Sequence, residues 1–478
     1  MDMSYDFLKK HFLKIFLLIS IGCSIGYLLL IGGKYVWADE AYTFGLIQHS
    51  YSQLWKITAA DVHPPLYYIL LKFLIQPFGY SLIAAKIVSV LPYVFMIVFG
   101  GWQLKKLFNE KTAILFMVLF FLFPFSLSLA VEIRMYSLAA AFVFSNAIYA
   151  FRCYKFNKSL DWALFAISGT AAAYTHYFAL VSVGITYFIL FVAIVCSKKN
   201  LIKPWIISVL GTFLLYLPWL SAFIRQLAYK VNNPYWIGDI TVKTVFSYVE
   251  SVFGAGGMRT FPLFFSLSYL LVFLYAIFSK KKDNIILTIC TLMVPVGTIL
   301  VGLSVSLLVR PIFVIRYVVP AIPLLVLFMA IILSRMKSTV LVTGVLVVAL
   351  MGGISNYGIF LRTEYKTVEN PLDEEFLSEY SNVDAYIVNY RITHISHVLC
   401  YYVQDKPVFR NQQITASVPF DNLQSMDDFD QSKCDNVLLF LDAGKKPGEE
   451  LASEYSYEYV GKLDSCGYMT DVFLLEKQ

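Results

Sequence analysis

Apolar residues along this chain fall into blocks long enough to cross a lipid bilayer, separated by short polar stretches. About twenty such residues are needed to span the hydrocarbon core. The pattern predicts spans near 12–32, 82–104, 112–131, 137–152, 160–175, 178–196, 205–224, 262–279, 284–308, 313–333 and 338–358. Residues 64–79 are also apolar, but that run is short and carries Lys72 in its middle. It reads as a helix lying at the membrane interface without crossing. Beyond about residue 360 the pattern breaks. Short runs at Asp384–Asn389, Val398–Val403, Asn436–Leu441 and Asp471–Leu475 predict strands, and Asp373–Tyr380 predicts a helix. The expected fold class is mostly α: a polytopic helical membrane domain over 1–360, with about eleven transmembrane helices and outer interfacial helices, then a small C-terminal α/β domain over 361–478.

Loop charges set the orientation. Lys105, Lys106 and Lys111 follow the second span, and Arg152, Lys155 and Lys158 the fourth. Lys198, Lys199 and Lys203 follow the sixth, Lys280, Lys281 and Lys282 the eighth, and Arg335 and Lys337 the tenth. Every cluster lands on the same side as the basic N-terminus, which the positive-inside rule assigns to the cytoplasm. The expected location is the cell membrane, multi-pass, with the N-terminus cytoplasmic and the C-terminal domain extracytoplasmic. Counting 64–79 as a crossing would put every later basic loop on the wrong side.

Composition agrees with lipid as the solvent. The chain of 478 residues is 58% hydrophobic and 15% charged, with a mean hydropathy of +0.67, whereas soluble domains are about a quarter charged. The net charge of +6 belongs to the orienting loops, so no nucleic acid is expected as a partner. Seven scattered cysteines form no CxxC, and neither a phosphate-binding loop nor a dinucleotide fingerprint occurs.

The residues able to carry chemistry gather at the outer helix ends. Asp39 and Glu40 stand together in Trp37-Ala38-Asp39-Glu40-Ala41-Tyr42, directly after the first span in an outer loop over 33–81. Such a partly desolvated interface can raise a carboxylate's pKa and make it a better base; the plainer reading is a solvated helix end. Asp61 and His63 precede Pro64-Pro65, which suits a helix start. Arg134, in Glu132-Ile133-Arg134-Met135-Tyr136, sits where a charge is expensive unless paired with a carboxylate or a bound anion. His176 lies among Tyr174, Thr175 and Tyr177, and Arg316-Tyr317 lies inside an apolar run. A guanidinium suits phosphate because its planar fork gives two parallel hydrogen bonds. The outer loop 225–261 holds Asn232-Asn233-Pro234, Asp239, Glu250 and a turn with Gly254, Gly256 and Gly257.

Taken in order, WADEAY, ADVHPPLYYILLKFL, EIRMYSL, YTHYFAL, LYLPWLSAFIRQL and IRYVVPAIPLL resemble the C-type glycosyltransferase superfamily. Within it the chain is similar to the bacterial glycosyltransferase family 39-like branch, related to protein O-mannosyltransferases and lipopolysaccharide sugar transferases. The resemblance covers roughly residues 10–335; the tail adds nothing to it. It implies a polyprenyl-phosphate-linked sugar as donor, an extracytoplasmic acceptor (cell-surface glycan, lipid or protein), and a lipid bilayer as the setting. It implies Asp39 as general base, with Glu40 supporting it or sharing the role. It puts Arg134 and Tyr136 at the family's R-x-Y position and Arg316 and Tyr317 at its R-Y position, for donor-phosphate or substrate binding. His63, Asp61 and His176 are further substrate-binding candidates. Some relatives hold a divalent metal near the active site; no complete ligand set can be read here, so the metal stays unassigned. One carboxylate opposite a phosphate leaving group predicts inversion. The alternative from another class is a multi-pass lipid or sugar transporter or flippase, which would place charges near the bilayer midplane.

Overall fold

The computed structural model describes residues 3–33, 35–124, 127, 129–232, 237–253, 270, 272, 274–275, 285–365, 371–388, 393–411, 417–465 and 468–478. Asn233-Pro234, the glycine turn at Gly254–Gly257, Lys280–Lys282, Asn389 and most of the span expected at 262–279 lie outside the described residues. The chain forms two compact units. One comprises Met1–Gly32, His63–Tyr67 and Ile83–Glu364; the other comprises Gly33–Val62, Tyr68–Leu82 and Tyr365–Gln478.

The first unit is helical. Helix α1 is Met3–Leu28. The second unit then supplies α2 (Ala38–Gln48) and α3 (Tyr51–Ala60), and α4 is Leu66–Ile75. The first unit resumes with α5 (Leu82–Leu107), α6 (Glu110–Phe121), α7 (Tyr136–Phe156), α8 (Ser159–Ala173), α9 (Tyr177–Ser197) and α10 (Ile202–Asn232). After α11 (Val242–Phe253) come α12 (Ile285–Leu308), a 3-10 segment (Ile315–Ala321), α13 (Ile322–Arg335) and α14 (Thr339–Glu364). Among the described residues, 7 helices are long and apolar enough to cross a membrane. The spans expected at 112–131 and 160–175 coincide with α6 and α8, of only 12 and 15 residues. Helix α4 has 10 residues, too few to reach across the hydrocarbon core at 1.5 Å per residue.

Burial within the unit follows helical geometry. On α1, Leu13, Leu17, Ile21 and Ile25 are exposed, whereas Phe12, Phe16, Cys23 and Tyr27 are buried. That four-residue spacing leaves one stripe for lipid and one for the bundle. Among the described residues, the segment through α13 is the most enclosed of the candidate spans, with 89% of its apolar window buried. Gly26 lets α1 approach α6: a Cβ there would stand 2.5 Å from the Phe121 ring.

At the end that the loop charges assign to the cytoplasm, Arg152 of α7 reaches Asp161 of α8, with Nε 2.7 Å from Oδ1, and donates to the Gln103 side chain at 2.9 Å. The Asp161 side chain is 2% exposed. R152A therefore strands a buried carboxylate and should lose about 3–5 kcal/mol, read as a lower thermal midpoint in detergent. An unchanged midpoint would mean that water reaches Asp161.

The second unit joins the first outer loop to the tail. After α15 (Glu374–Glu379), the tail runs β1 (Ala385–Val388), α16 (Thr393–Tyr402), β2 (Val408–Arg410), β3 (Leu423–Ser425), β4 (Asn436–Asp442), α17 (Glu449–Glu454), β5 (Tyr455–Ser465) and β6 (Tyr468–Lys477). The sheet order is β3-β2-β1-β4-β6-β5. Strands β3, β2, β1 and β4 are parallel, and the β5–β6 pair is added antiparallel to β4. The expected strand at Val398–Val403 is helical instead: Val398, Leu399 and Cys400 are all buried in α16. A continuous apolar run fits either a buried strand or the covered side of a helix, and the crossover between parallel β1 and β2 demands the helix. Cys400 and Cys434 are free, buried thiols, and Cys466 lies outside the described residues.

Helix α2 packs on α16. Tyr42 meets His397 with ring centroids 6.1 Å apart, and Phe44 meets Tyr401 at 5.1 Å. Lys72 of α4, 6% exposed, donates to the Ile47 carbonyl in the last turn of α2 (2.8 Å) and to the Tyr80 hydroxyl (2.9 Å). A cation near a helix C-terminus satisfies an orphan carbonyl and meets the negative end of the dipole. This accounts for a lysine inside an apolar run.

Candidate functional site

In the first unit the chain between α6 and α7 enters α7 through a tight bend in which the Arg134 amide donates to the Glu132 carbonyl at 2.7 Å. Met135 caps α7 without a side-chain bond, so the segment is held by burial: Ile133, Arg134, Met135 and Tyr136 are each under 5% exposed. Nine-tenths burial of a guanidinium between apolar neighbours is costly unless it serves an anion or an acidic partner.

His176 opens α9. Its Nδ1 accepts the Phe178 amide at 3.2 Å, so it caps the helix. A ring nitrogen that accepts is unprotonated, which leaves the proton of the neutral ring on Nε2. The ring lies 5.5 Å from Tyr136 and 5.2 Å from Tyr317, centroid to centroid. Tyr317 in turn stacks on Phe178 at 5.2 Å. The Arg316 guanidinium carbon stands 5.9 Å from the centre of the Tyr136 ring, within cation–π range. Three segments distant in sequence thus bring Tyr136, His176, Arg316 and Tyr317 into one cluster, with Arg134 two residues before Tyr136.

His63 belongs to the same unit, just before the prolines that open α4. The Leu66 amide there donates to the Tyr174 carbonyl at 3.0 Å, linking the His-Pro-Pro segment to the Tyr-Thr-His-Tyr segment. Tyr177 of that segment donates to the Gln226 side chain and accepts from Trp219 Nε1 at 3.1 Å. Those two α10 partners were not singled out from sequence, because helical spacing alone does not say which faces meet. Lys86 was also missed. It is 4% exposed inside α5, and its signal was a lone charge within an apolar span.

An apolar cavity of about 460 Å³ adjoins this cluster through the 3-10 segment. Ile315 and Val318 line it, with Tyr248 of α11, Pro295 and Ile299 of α12, and Phe328 of α13. Arg316 and Tyr317 fall between these lining residues and contact the cluster instead. One short segment therefore stands between an apolar cavity and the side-chain cluster that contains Arg316.

In the second unit, Asp39 and Glu40 occupy the first turn of α2. The Glu40 carboxylate accepts the Trp37 amide at 3.3 Å and the side chain is 5% exposed; Asp39 is half-buried. Both sit in the first turn of the helix, at the positive end of its dipole. Asp61 closes α3 rather than opening α4: its amide donates to the carbonyls of Ile57 and Thr58 at 3.0 and 3.2 Å. Among the described residues no group of three or more His, Cys, Asp and Glu side chains is arranged to hold a metal ion.

The fold is similar to that of solved proteins. The crystal structure of ArnT from Cupriavidus metallidurans in the apo state matches with a TM-score of 0.65 at 11% identity, covering 96% of this chain and 97% of that one. The same protein bound to undecaprenyl phosphate matches with a TM-score of 0.64 at 10% identity, covering 96% and 97%. The cryo-EM structure of the arabinofuranosyltransferase AftD from mycobacteria matches with a TM-score of 0.50 at 12% identity, covering 78% of this chain and 29% of that one. No protein-family model matches the sequence, and no curated protein matches it.

Proposed function

We propose that this chain, which has the C-type glycosyltransferase fold, is a membrane glycosyltransferase that moves a sugar from a polyprenyl-phosphate carrier to an extracytoplasmic acceptor. The observation that carries this reading is the 3-10 segment Ile315–Ala321. Its Ile315 and Val318 line the apolar cavity, while Arg316 and Tyr317 join Tyr136 and His176. A ligand with an isoprenoid tail and a phosphate head needs such a junction of apolar wall and guanidinium. The similarity in fold to ArnT, which has been solved with undecaprenyl phosphate, supports the same ligand class.

The chemistry follows from the groups. An acceptor hydroxyl oxygen attacks the anomeric carbon, the bond from that carbon to the phosphate oxygen breaks, and the hydroxyl proton passes to the Asp39 carboxylate. The leaving polyprenyl phosphate gains negative charge, which Arg134 and Arg316 stabilise in a site of low dielectric. Glu40 holds the first turn of α2 and supports Asp39. Tyr136, Tyr317 and His176 shape the head-group pocket, and His63 and Asp61 are further candidates for substrate binding. Attack opposite the leaving group inverts the anomeric centre. The positive-inside pattern supports a cytoplasmic N-terminus and an extracytoplasmic tail.

The test supplies a panel of polyprenyl-phosphate sugars, together with mixed envelope lipids and glycans as acceptors, to the purified protein in liposomes, with and without chelator. One donor should be consumed with release of free polyprenyl phosphate. Consumption of none, together with failure to bind undecaprenyl phosphate, would overturn the reading.

A further inference from the structure

A second cavity, polar and of about 290 Å³, opens within the unit formed by the first outer loop and the tail. Gly45, Gln48 and His49 at the end of α2 form one wall, and Tyr401 and Gln404, at and just beyond the end of α16, form another. Phe420 and Asp421 complete it. The Phe420 ring packs against Gly45, where a Cβ would stand 2.5 Å from the ring edge, so glycine leaves the room in which the ring forms this wall. His49 Nε2 lies 3.1 Å from the Pro419 carbonyl oxygen. With Nε2 donating there, the neutral ring keeps Nδ1 as an acceptor. Gln48, Gln404 and Asp421 are exposed, and they offer amide donors, amide acceptors and a carboxylate.

This donor set contains no lysine or arginine, so it does not suit a phosphate. Neutral amides, one carboxylate and two aromatic walls suit a ligand rich in hydroxyls with an apolar ring face. The size, near the lower end of ligand pockets at roughly 300 Å³, fits a saccharide unit. Gly45 and Gln48 follow Asp39 by six and nine residues on one helix, which is about 9 and 14 Å along its axis. A sugar in the cavity is therefore not the one whose hydroxyl meets Asp39.

We infer that the cavity binds a non-reacting saccharide unit of the acceptor, so that the acceptor is a glycan of more than one residue. This rests on the glycosyl-transfer reading with Asp39 as base. In a glycan of two or more units, one sugar held by α2 and α16 would position the next along α2, toward its acidic end.

The test uses the full chain in lipid nanodiscs and a panel of neutral mono- and disaccharides built from glucose, galactose, mannose, rhamnose and N-acetylglucosamine. Saturation-transfer NMR reads binding. At least one disaccharide should bind, and Q404A and D421A should each weaken it about 5- to 10-fold, the worth of one hydrogen bond. Both replaced side chains are exposed, so both variants keep the fold. Absence of binding by every saccharide, or equal binding by wild type and both variants, overturns the inference. Undecaprenyl phosphate binding and donor turnover by the same wild-type preparation separate the two ideas. Lipid binding and turnover without saccharide binding sink only the acceptor cavity, whereas saccharide binding without lipid binding sinks the glycosyl-transfer reading on which it rests.

Discussion

Asp39→Asn is expected to lower sugar transfer by about 10²- to 10⁴-fold, the usual contribution of a positioned general base, while membrane insertion and polyprenyl phosphate binding persist. Asparagine keeps the shape of the side chain but removes the negative charge with which it takes the acceptor proton. Thr43 Oγ1 donates to the backbone carbonyl of Asp39 at 2.9 Å, a bond that Asn preserves. Glu40→Gln is the informative companion. The Glu40 carboxylate receives the Trp37 amide, and a glutamine oxygen can accept the same bond, as in a capping box. Its loss of turnover should be well below that of D39N. Initial rates with the donor that wild type consumes, at saturating acceptor, check both. Turnover by D39N equal to wild type would remove Asp39 as the base, and a larger loss in E40Q than in D39N would transfer the role to Glu40.

Arg316→Ala and Arg134→Ala are each expected to weaken undecaprenyl phosphate binding by roughly 10- to 150-fold, since a hydrogen bond to a charged group contributes about 1.5–3 kcal/mol. Arg316 is held beside the Tyr136 ring on the segment that lines the apolar cavity, so its loss removes a cation adjacent to that wall. Tyr317→Phe serves as the control for packing. It keeps the ring that stacks on Phe178 and meets His176 and removes only the hydroxyl. Lipid titration of each variant in detergent, with a circular-dichroism check of the helices, gives the comparison. Affinity unchanged in both arginine variants would show that the phosphate is bound elsewhere, with Lys86 the next buried cation to test.

Much of this molecule was legible before any fold was known, and the reason is local. Crossing a bilayer requires about twenty apolar residues in sequence, so α1, α5, α9, α10, α12 and α14 were dictated by run length and needed no partner. The Lys72-bearing run was too short and too charged to cross, and α4 has that short length. Positions of the acidic pair, the Arg134 bend and the Arg316 segment followed from where charges interrupt apolar runs. What could not be read was pairing. Val398–Val403 carries an apolar pattern that fits strand or helix, and only the parallel pairing of β1 with β2 decides for helix. Lys72 reads as an anomaly until the Ile47 carbonyl is beside it. Tyr136, His176 and Tyr317 lie far apart in sequence, and only helix packing brings their rings within 5.5 Å of one another in succession. The union of the first outer loop with the tail was likewise invisible, because it depends on α2 and α16 presenting matching aromatic faces. Hydrophobic period and charge placement are properties of a few consecutive residues, whereas a site assembled from distant segments exists only once packing has chosen which faces meet.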